Sequence, residues 1–405
     1  MNRHEPALAP APAAPTADLW RPFADKYAAN WAKEPLVVPG APGPGLDAAG
    51  AHRLLVAAAT APEPTTTRLA VADGVLRAPG PLLPSRDDRS AADYAARLAA
   101  SGRMPDGGWL LTARHALHLD FSLWSRVRDA VTGLWLHIGL PPLPVTAELA
   151  VGTRHRTVED PRERSDAAGF TWVLDGSLTL RVRPEHTGTE YALRASRGDL
   201  VHWPAGSTHL EDRTRLCTTL RLSVPARSAS ALPYVGEVLG DILRRHPLPA
   251  DDQATVPHPA PAAPDGRLTP TPRCTAPARR CMTALSGDEP ERVLSLRWAA
   301  LRSAAGLLPA PPPRPGVPLV PGRRLRRTAE ILRTRPETGP PLWAANGHAA
   351  PVTTPAAHRV LDHLATTPRT TVTALAEAGD LHPDTPQLHT LLTELYRVRA
   401  LEAES

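Results

Sequence analysis

The spacing of the apolar residues changes at about residue 145, and this change constrains the fold more than any other feature of the chain. In Ser177–Val182, Leu178, Leu180 and Val182 alternate with polar residues. Such alternation is typical of a strand with one buried face. Turn-forming residues separate this run from further short apolar runs at 149–151, 191–193, 200–203 and 218–224. Several short strands between turns predict a β-sandwich or β-barrel rather than a parallel sheet.

Two dipeptides predict β-hairpins. Asp175-Gly176 lies between the apolar runs 170–174 and 177–182. Asn346-Gly347 follows the run Leu342–Ala345. Both dipeptides readily adopt the positive φ angles that a two-residue hairpin turn requires. We therefore expect the runs on either side of each dipeptide to pair with each other.

Helical spacing occurs on both sides of the strand-rich region. Before it, Asp120 is a natural N-cap, and candidate helices span 48–59, 91–101 and 121–136, with short strands at 35–38 and 109–112. After it, candidate helices span 232–245, 293–308, 358–365, 372–378 and 386–397. The last three, with a wing strand beginning at 400–401, follow the order of a winged-helix domain.

The prolines, 48 of 405 residues, mark the ends of these regions. They concentrate at 1–16, 247–278 and 309–315, outside the strands that proline would disrupt. The sequence therefore predicts a disordered tail (1–17), a helical N-terminal cap (18–144), a β-barrel (145–246), a Pro/Ala-rich linker (247–284), a helical connector (285–350) and a winged-helix domain (351–405).

Composition excludes several classes of protein. No apolar run approaches the roughly 20 residues that a membrane-spanning helix needs, and the N-terminal residues lack the apolar core of a signal peptide. Cys217, Cys274 and Cys281 have neither an even count nor a tight metal-binding spacing, which favours a reducing cytoplasm. The net charge of +5 comes from scattered arginines, so nucleic acid is not the favoured partner.

The segment Gly198–His209 carries the most specific pattern of the chain. Gly198 begins a turn into a strand, Pro204 and Gly206 bend the chain, and His209 is then expected to point into the mouth of the barrel. This spacing resembles the second motif of the cupins, in which the histidine ligates a metal ion. The resemblance implies a mainly β core with α-helices: a cupin double-stranded β-helix (jelly roll) with a helical N-terminal cap and a C-terminal winged helix.

More of the chain resembles the JmjC-type cupins, in particular the ribosomal oxygenase family of iron- and 2-oxoglutarate-dependent hydroxylases. The entry segment Trp31–Val38, the helix at 121–136 before Pro141-Pro142 and the C-terminal winged helix carry this resemblance. It implies hydroxylation of a peptide or protein side chain with Fe(II) and 2-oxoglutarate. It also implies a peptide or protein partner and a homodimer formed through the connector helices.

The chain departs from this family at the expected iron site. Counting from Gly176 places the family's His-x-Asp pair at Glu163 and Ser165, and its oxoglutarate-binding lysine at about Leu178. Glutamate can ligate iron, but serine is a poor ligand at neutral pH and leucine cannot pair with a carboxylate. Of the four expected contacts, only His209 is intact.

Other residues offer alternatives for the missing groups. A bulge could present Asp166 in place of Ser165, and His155 or His118 could approach from upstream. Arg181 or Arg183 could replace the lysine as the cofactor-binding residue, although both also fit a solvated strand face. We therefore predict His209, Glu163 and Asp166 as metal ligands and Arg181 as a cofactor contact, with a hydrogen-bonded His209 in a metal-free barrel as the alternative.

Two functions follow from these observations. The first is an oxygenase-like protein derived from iron- and 2-oxoglutarate-dependent peptide or protein hydroxylases. The second is a catalytically inactive cupin that acts as a peptide- or protein-binding module. The candidate recognition helix at 386–397 has arginine only near its end, so the winged helix favours contact with protein over DNA.

Overall fold

The structure, a computed structural model, describes residue 20, residues 33–62, 64–71, 74–102, 108–156, 165–227, 231–245, residue 283, and residues 285–336 and 339–404. The predicted tail at 1–17, most of the predicted linker at 247–284, and Glu163 lie outside these residues. The chain divides into two compact units. The sheet unit combines residues up to 230 with 304–313, and the C-terminal unit combines 231–303 with 314–405.

The sheet unit contains twelve strands among its described residues. In chain order they are β1 (Leu36–Val38), β2 (Thr66–Val71), β3 (Gly74–Val75), β4 (Trp109–Arg114), β5 (Thr146–Thr153), β6 (His155–Arg156), β7 (Ala167–Asp175), β8 (Ser177–Pro184), β9 (Tyr191–Ser196), β10 (Leu200–Trp203), β11 (Ser207–Arg213) and β12 (Cys217–Pro225). They form an eight-stranded sheet in the order β1-β10-β7-β12-β5-β4-β2-β3 and a four-stranded sheet in the order β6-β11-β8-β9. Every pairing in the two sheets is antiparallel, as the sequence predicts.

Among the described residues, three α-helices with defined bounds accompany these sheets: α1 (Ala48–Ala58), α2 (Ala91–Ala100) and α3 (Phe121–Ile138). The predicted cap of α3 is confirmed, because the Asp120 carboxylate accepts a hydrogen bond from the Leu123 N–H at 3.0 Å. The apolar faces of the helices pack against Phe170, Trp172 and Leu220 on one face of the large sheet. The alternate strand residues, which lie on the other face of the large sheet and include Val173 and Val201, pack against the small sheet. The space between the two sheets is called the sheet interior below.

The predicted hairpin at Asp175-Gly176 is wrong. β7 pairs with β10 and β12 in the large sheet, whereas β8 pairs with β9 and β11 in the small sheet. Gly176 does have the expected positive φ of 78°. A side chain there would also overlap the carbonyl of Leu216. The dipeptide therefore marks a sharp turn correctly, but the turn carries the chain from one sheet to the other.

The predicted helical N-terminal cap at 18–144 is also corrected. This region supplies β1 to β4, which lengthen the large sheet at both of its edges, as well as the three helices. β2, β3 and β4 add to the sheet beyond β5, and β1 pairs with β10. Spacing alone identified short strands here, but sheet membership depends on pairing with strands far along the chain.

The C-terminal unit contains five described helices and two three-stranded sheets. The helices are α4 (Ala231–Arg245), α5 (Glu289–Ser303), α6 (Pro355–Thr366), α7 (Val372–Gly379) and α8 (Pro386–Arg397). The strands are β13 (Arg324–Arg327), β14 (Leu332–Thr334), β15 (Leu342–Ala345), β16 (His348–Pro351), β17 (Arg369–Thr371) and β18 (Leu401–Ala403). The hairpin predicted at Asn346-Gly347 is confirmed, since β15 pairs with β16 and both turn residues have positive φ.

Two boundaries in this unit differ from those predicted. The helix expected to reach residue 308 ends at Ser303, because Ala305 and Gly306 have positive φ angles that end a helix. The predicted connector at 285–350 and winged helix at 351–405 are joined by one sheet, in which β13 pairs with both β17 and β18. Among the described residues, no helix is both long and apolar enough to cross a membrane.

Candidate functional site

The segment Gly198–His209 has the geometry that its sequence predicts. Gly198 has a φ of 90° and Gly206 a φ of 80°. Between them, β10 pairs with β7, and the Ser207 hydroxyl donates to the Pro204 carbonyl at 2.8 Å. His209 follows on β11 opposite Val182, whose side chain is fully buried. The His209 side chain therefore faces the sheet interior.

An indole ring beside His209 organises this part of the interior. The ring of Trp203 lies 4.8 Å from the His209 ring, centroid to centroid, and Gly169 leaves room for it because any side chain there would overlap the indole. The guanidinium carbon of Arg221 lies 5.3 Å from the centroid of the same indole. Burial, together with the positive charge of Arg221, lowers the pKa of His209 to about 3. His209 is therefore neutral at neutral pH.

Five charged side chains form a continuous network beside this histidine. Arg213 contacts Glu211 at 2.5 Å, and Arg221 also contacts Glu211. Arg221 lies 3.7 Å from Glu148, which in turn pairs with Arg114 at 2.9 Å. These residues, on β4, β5, β11 and β12, are called the interior charge network below: Arg114, Glu148, Glu211, Arg213 and Arg221.

The network is buried at its centre and supported by hydroxyl groups. The side chains of Arg213 and Glu211 are 0% and 3% exposed. Arg213 also donates to the Thr219 hydroxyl at 3.2 Å. Burial lowers the pKa of both Arg213 and Arg221, but a guanidinium stays protonated in proteins. Charges buried this deeply are tolerated because they are paired and hydrogen-bonded.

Among the described residues, the groups around His209 do not form an iron site. Within the described ranges, no group of three or more His, Cys, Asp or Glu side chains could hold a metal. The neighbours of His209 are an indole and a guanidinium, and neither offers a lone pair to a cation. The two nearby carboxylates, Glu148 and Glu211, are each engaged by two arginines of the network.

The other predicted metal ligands are placed as follows. Glu163 lies outside the described residues. The hydroxyl of Ser165 donates to the Ala167 carbonyl at 2.8 Å. Asp166 precedes β7. The pKa of Arg227 is raised mainly by its hydrogen bond to Glu185 and to a smaller extent by the charge of the Asp166 carboxylate. Metal ligation by His209, Glu163 and Asp166 stays a prediction.

Arg181, the predicted cofactor contact, does not face the sheet interior. Arg181 and Val182 are consecutive residues of β8 and therefore face opposite sides of the sheet. Val182 faces the interior, whereas the Arg181 side chain is 52% exposed and lies 3.9 Å from Glu190 on the outer face. Arg183 also faces outward and pairs with Glu190. Leu178 is buried in the apolar interior.

Three histidines have distinct environments. His118 contacts the carbonyl of His115 through Nδ1 at 2.6 Å, in the short 3-10 helix that precedes α3. His155 is buried opposite Arg213, and burial, together with the Arg213 charge, lowers its pKa. His202 faces the helices: its ring stacks on Phe170, and its Nδ1 lies 2.9 Å from the Gly169 carbonyl.

Sequence reasoning missed Glu148, Glu211, Arg213 and Arg221. A signal was nevertheless present, because Glu211 and Arg213 follow His209 at every second position and so share its face of β11. Arg221 stands between Leu220 and Leu222 in an apolar strand. Charged residues at inward positions of two strands indicate that they form buried ion pairs. The sequence does not show which strands lie next to each other.

Comparison with known proteins supports the fold. No known family model matches the chain, and no curated protein does. Among solved structures, it is similar to YcfD, a ribosomal oxygenase from Escherichia coli, at 17% identity over 95% of this chain and 98% of that chain, with a TM-score of 0.50. A structure of YcfD in complex with cobalt and succinic acid matches over the same shares at 17% identity and a TM-score of 0.51. The expected likeness to the ribosomal oxygenases is thus confirmed at the level of the fold.

Proposed function

We propose that this protein has the ribosomal oxygenase fold but binds a peptide or protein across the mouth of its barrel without hydroxylating it. The observation that carries the proposal is the position of Arg221, whose guanidinium lies beside His209 and engages Glu148 and Glu211. A facial iron site needs three donors and open positions for its co-substrates. Here a permanent cation lies close to the one intact donor of the expected site.

The partner is proposed from the fold. The similar structures are those of a ribosomal oxygenase, so we propose a ribosomal protein as the partner and the cytoplasm as the place of binding. His209 is only partly buried, so a partner at the mouth can contact its ring, which packs on the buried Trp203 indole. We also propose that the two sheets form a jelly roll and that the C-terminal unit contains a winged helix. In this proposal the C-terminal unit is a scaffold that contacts protein.

Binding is tested by sedimenting the purified protein with ribosomes through a sucrose cushion. We expect the wild-type protein to co-sediment and His209→Ala to reduce the bound fraction at least about threefold, an effect of the size that a good contact residue has. Arg181→Ala is the matched control, because it removes a charge from the outer face of the same sheet. The proposed partner is wrong if wild type stays in the supernatant, and the proposed binding site is wrong if both variants bind as well as wild type.

Hydroxylation with Fe(II) and 2-oxoglutarate is the second candidate function. The fold favours it, because a protein with this fold has been solved with cobalt and succinic acid. In this alternative His209, Glu163 and Asp166 would hold the iron. Oxoglutarate turnover by protein purified without oxygen and loaded with Fe(II) decides between the two. We expect no turnover above a metal-free blank, and turnover that His209→Ala abolishes would establish the enzyme.

A homodimer is also proposed. On α4, the side chains of Leu232, Val235 and Leu239 are exposed at helical spacing. On α5, Leu294 and Trp298 are exposed one turn apart. The two helices pack together through Val238, Ile242 and Val293, so their outer faces form one apolar surface. Apolar surface of this kind marks an interaction site in soluble proteins.

A further inference from the structure

Two carboxylates of the sheet interior come from different sheets. Glu148 lies on β5 of the large sheet, and Glu211 lies on β11 of the small sheet. Arg221, on β12, is within 4 Å of both. One guanidinium therefore links the two sheets through charge, in the way that a shared cation would.

The contacts of Arg221 use every side of its guanidinium. Its Nη1 faces Glu148, and its Nη2 contacts Glu211. Its Nε donates to the Thr171 hydroxyl at 3.4 Å, and its carbon lies over the Trp203 ring. The planar, five-donor guanidinium suits such a site better than a compact ammonium does. Arg221 is thus held in place by four neighbours on four strands.

A divalent metal at His209 would compete with this arrangement. It would lie next to the guanidinium, and the repulsion between two cations is strong where water is largely excluded. A metal that drew its carboxylates from the network would take Glu148 or Glu211 from their arginines, and a buried arginine left without its carboxylate is unfavourable. The interior charge network already has three arginines against two glutamates, so it holds one positive charge in excess without a metal.

We infer that Arg221 is the resident cation of the sheet interior and that this guanidinium, rather than a metal ion, holds Glu148 and Glu211 together. The inference concerns the same site as the proposed function and explains why that site would not hydroxylate. It does not depend on the identity of the partner. The interior is stable without metal, and His209 serves as a neutral packing group.

Cobalt is the probe for this inference, because Co(II) bound by protein ligands absorbs visible light. The full-length protein, stripped with EDTA, is titrated with Co(II), and its thermal unfolding is followed with and without the metal. We expect no saturable absorption at one equivalent and no change in Tm on adding either Co(II) or EDTA. One equivalent of cobalt that is lost in His209→Ala or Glu163→Ala would overturn the inference.

Substitution of the arginine gives an independent measurement. Arg221→Met keeps much of the side-chain volume but removes the charge, and we expect its Tm to fall by about 5–10 °C. Arg221→Lys should recover part of this loss. Arg156→Met is the control, because Arg156 pairs with Asp212 on the surface, where its side chain is 63% exposed. A wild-type Tm for Arg221→Met would overturn the inference, and the cobalt titration of wild type stands if that variant fails to fold.

The two proposals can fail separately. If the protein takes up no cobalt and does not sediment with ribosomes, only the proposed partner is wrong. If cobalt binds at His209 while oxoglutarate turnover stays absent and ribosomes are still bound, only the assignment of Arg221 is wrong.

Discussion

At the scale of single residues, the interior charge network decides the chemistry of the site. Arg213 and Arg221 are tolerated inside the sheets because Glu211 forms an ion pair with each of them. A buried pair of this kind adds little net stability compared with apolar residues, yet it becomes costly when one partner is removed. Glu211 is thus the member whose loss leaves the largest uncompensated charge.

Glu211→Gln is expected to destabilise the protein by about 3–5 kcal/mol, because it leaves two guanidiniums without their shared carboxylate. Urea unfolding followed by tryptophan fluorescence measures the change. Glu190→Gln is the matched control, since Glu190 pairs with Arg181 and Arg183 on the outer surface and should leave stability nearly unchanged. Equal unfolding midpoints for the two variants would show that Glu211 does not stabilise the buried arginines.

The buried His202 makes stability depend on pH. Burial lowers its pKa to about 4, with a smaller opposing effect of its contact with Gly169. The unfolded chain, in which the pKa of histidine is about 6.5, therefore binds the proton more readily than the folded chain. Stability should fall as the pH drops from about 6.5 towards 4, by up to about 3 kcal/mol from this residue.

The variant His202→Phe tests this pH dependence. It keeps the stacking on Phe170 but has no group to protonate, so its unfolding midpoint should vary less between pH 7 and pH 5 than that of wild type. His209 contributes in the same direction and remains in both proteins. Parallel pH profiles for wild type and His202→Phe would rule out protonation of His202 as a cause.

At the scale of elements, the exposed faces of α4 and α5 stand out. In the described residues, nine large apolar side chains are exposed, and six of them lie on these helices or just before α5. The six are Leu232, Val235, Leu239, Leu285, Leu294 and Trp298. Arg297 of α5 pairs with Glu237 and Asp241 of α4, so the two helices are already fixed to each other by charge as well as by packing. Their remaining apolar face is therefore available to a second copy.

Trp298→Glu is expected to convert a dimer into a monomer, because it places a charge at the centre of that face. Size-exclusion chromatography with light scattering at micromolar concentration measures the mass. Val320→Glu is the control, since Val320 is also exposed but belongs to neither helix. A monomeric wild type, or a dimeric Trp298→Glu, would contradict the prediction.

At the scale of the whole molecule, the sheet unit is assembled from two separate parts of the chain. Residues 304–313 return to it after the helices α4 and α5. The Trp135 indole donates to the Ala305 carbonyl at 2.7 Å, and the Trp124 indole donates to the Leu307 carbonyl at 3.3 Å. Val145 N–H also donates to the Gly306 carbonyl. The sheet unit thus depends on residues that the chain adds late.

A chain truncated after residue 230 should consequently fold less well than its length suggests. It would leave two buried indole N–H groups without acceptors and would uncover the apolar surface that Leu307 covers. Limited proteolysis and near-ultraviolet circular dichroism, compared with the full-length protein, measure the effect. A truncated chain with wild-type resistance to protease would show that residues 304–313 are dispensable.

Local spacing determined most elements of this protein. Apolar periodicity located α1, α3 and α8, and the Asn346-Gly347 turn specified its hairpin, because these features depend on neighbours within a few residues. The motif around His209 likewise determined where that side chain points. Each of these features is set by backbone preferences that the sequence carries by itself.

The tertiary structure alone decided which strands meet and what lies beside His209. The Asp175-Gly176 turn joins two sheets instead of one hairpin, and Arg181 faces away from the interior that Val182 enters. Glu148, Glu211 and Arg221 are far apart in sequence, and only the pairing of β5 with β12 and the packing of the two sheets unite them. Long-range pairing is set by the sum of many burial and charge terms, so no short segment could have encoded it.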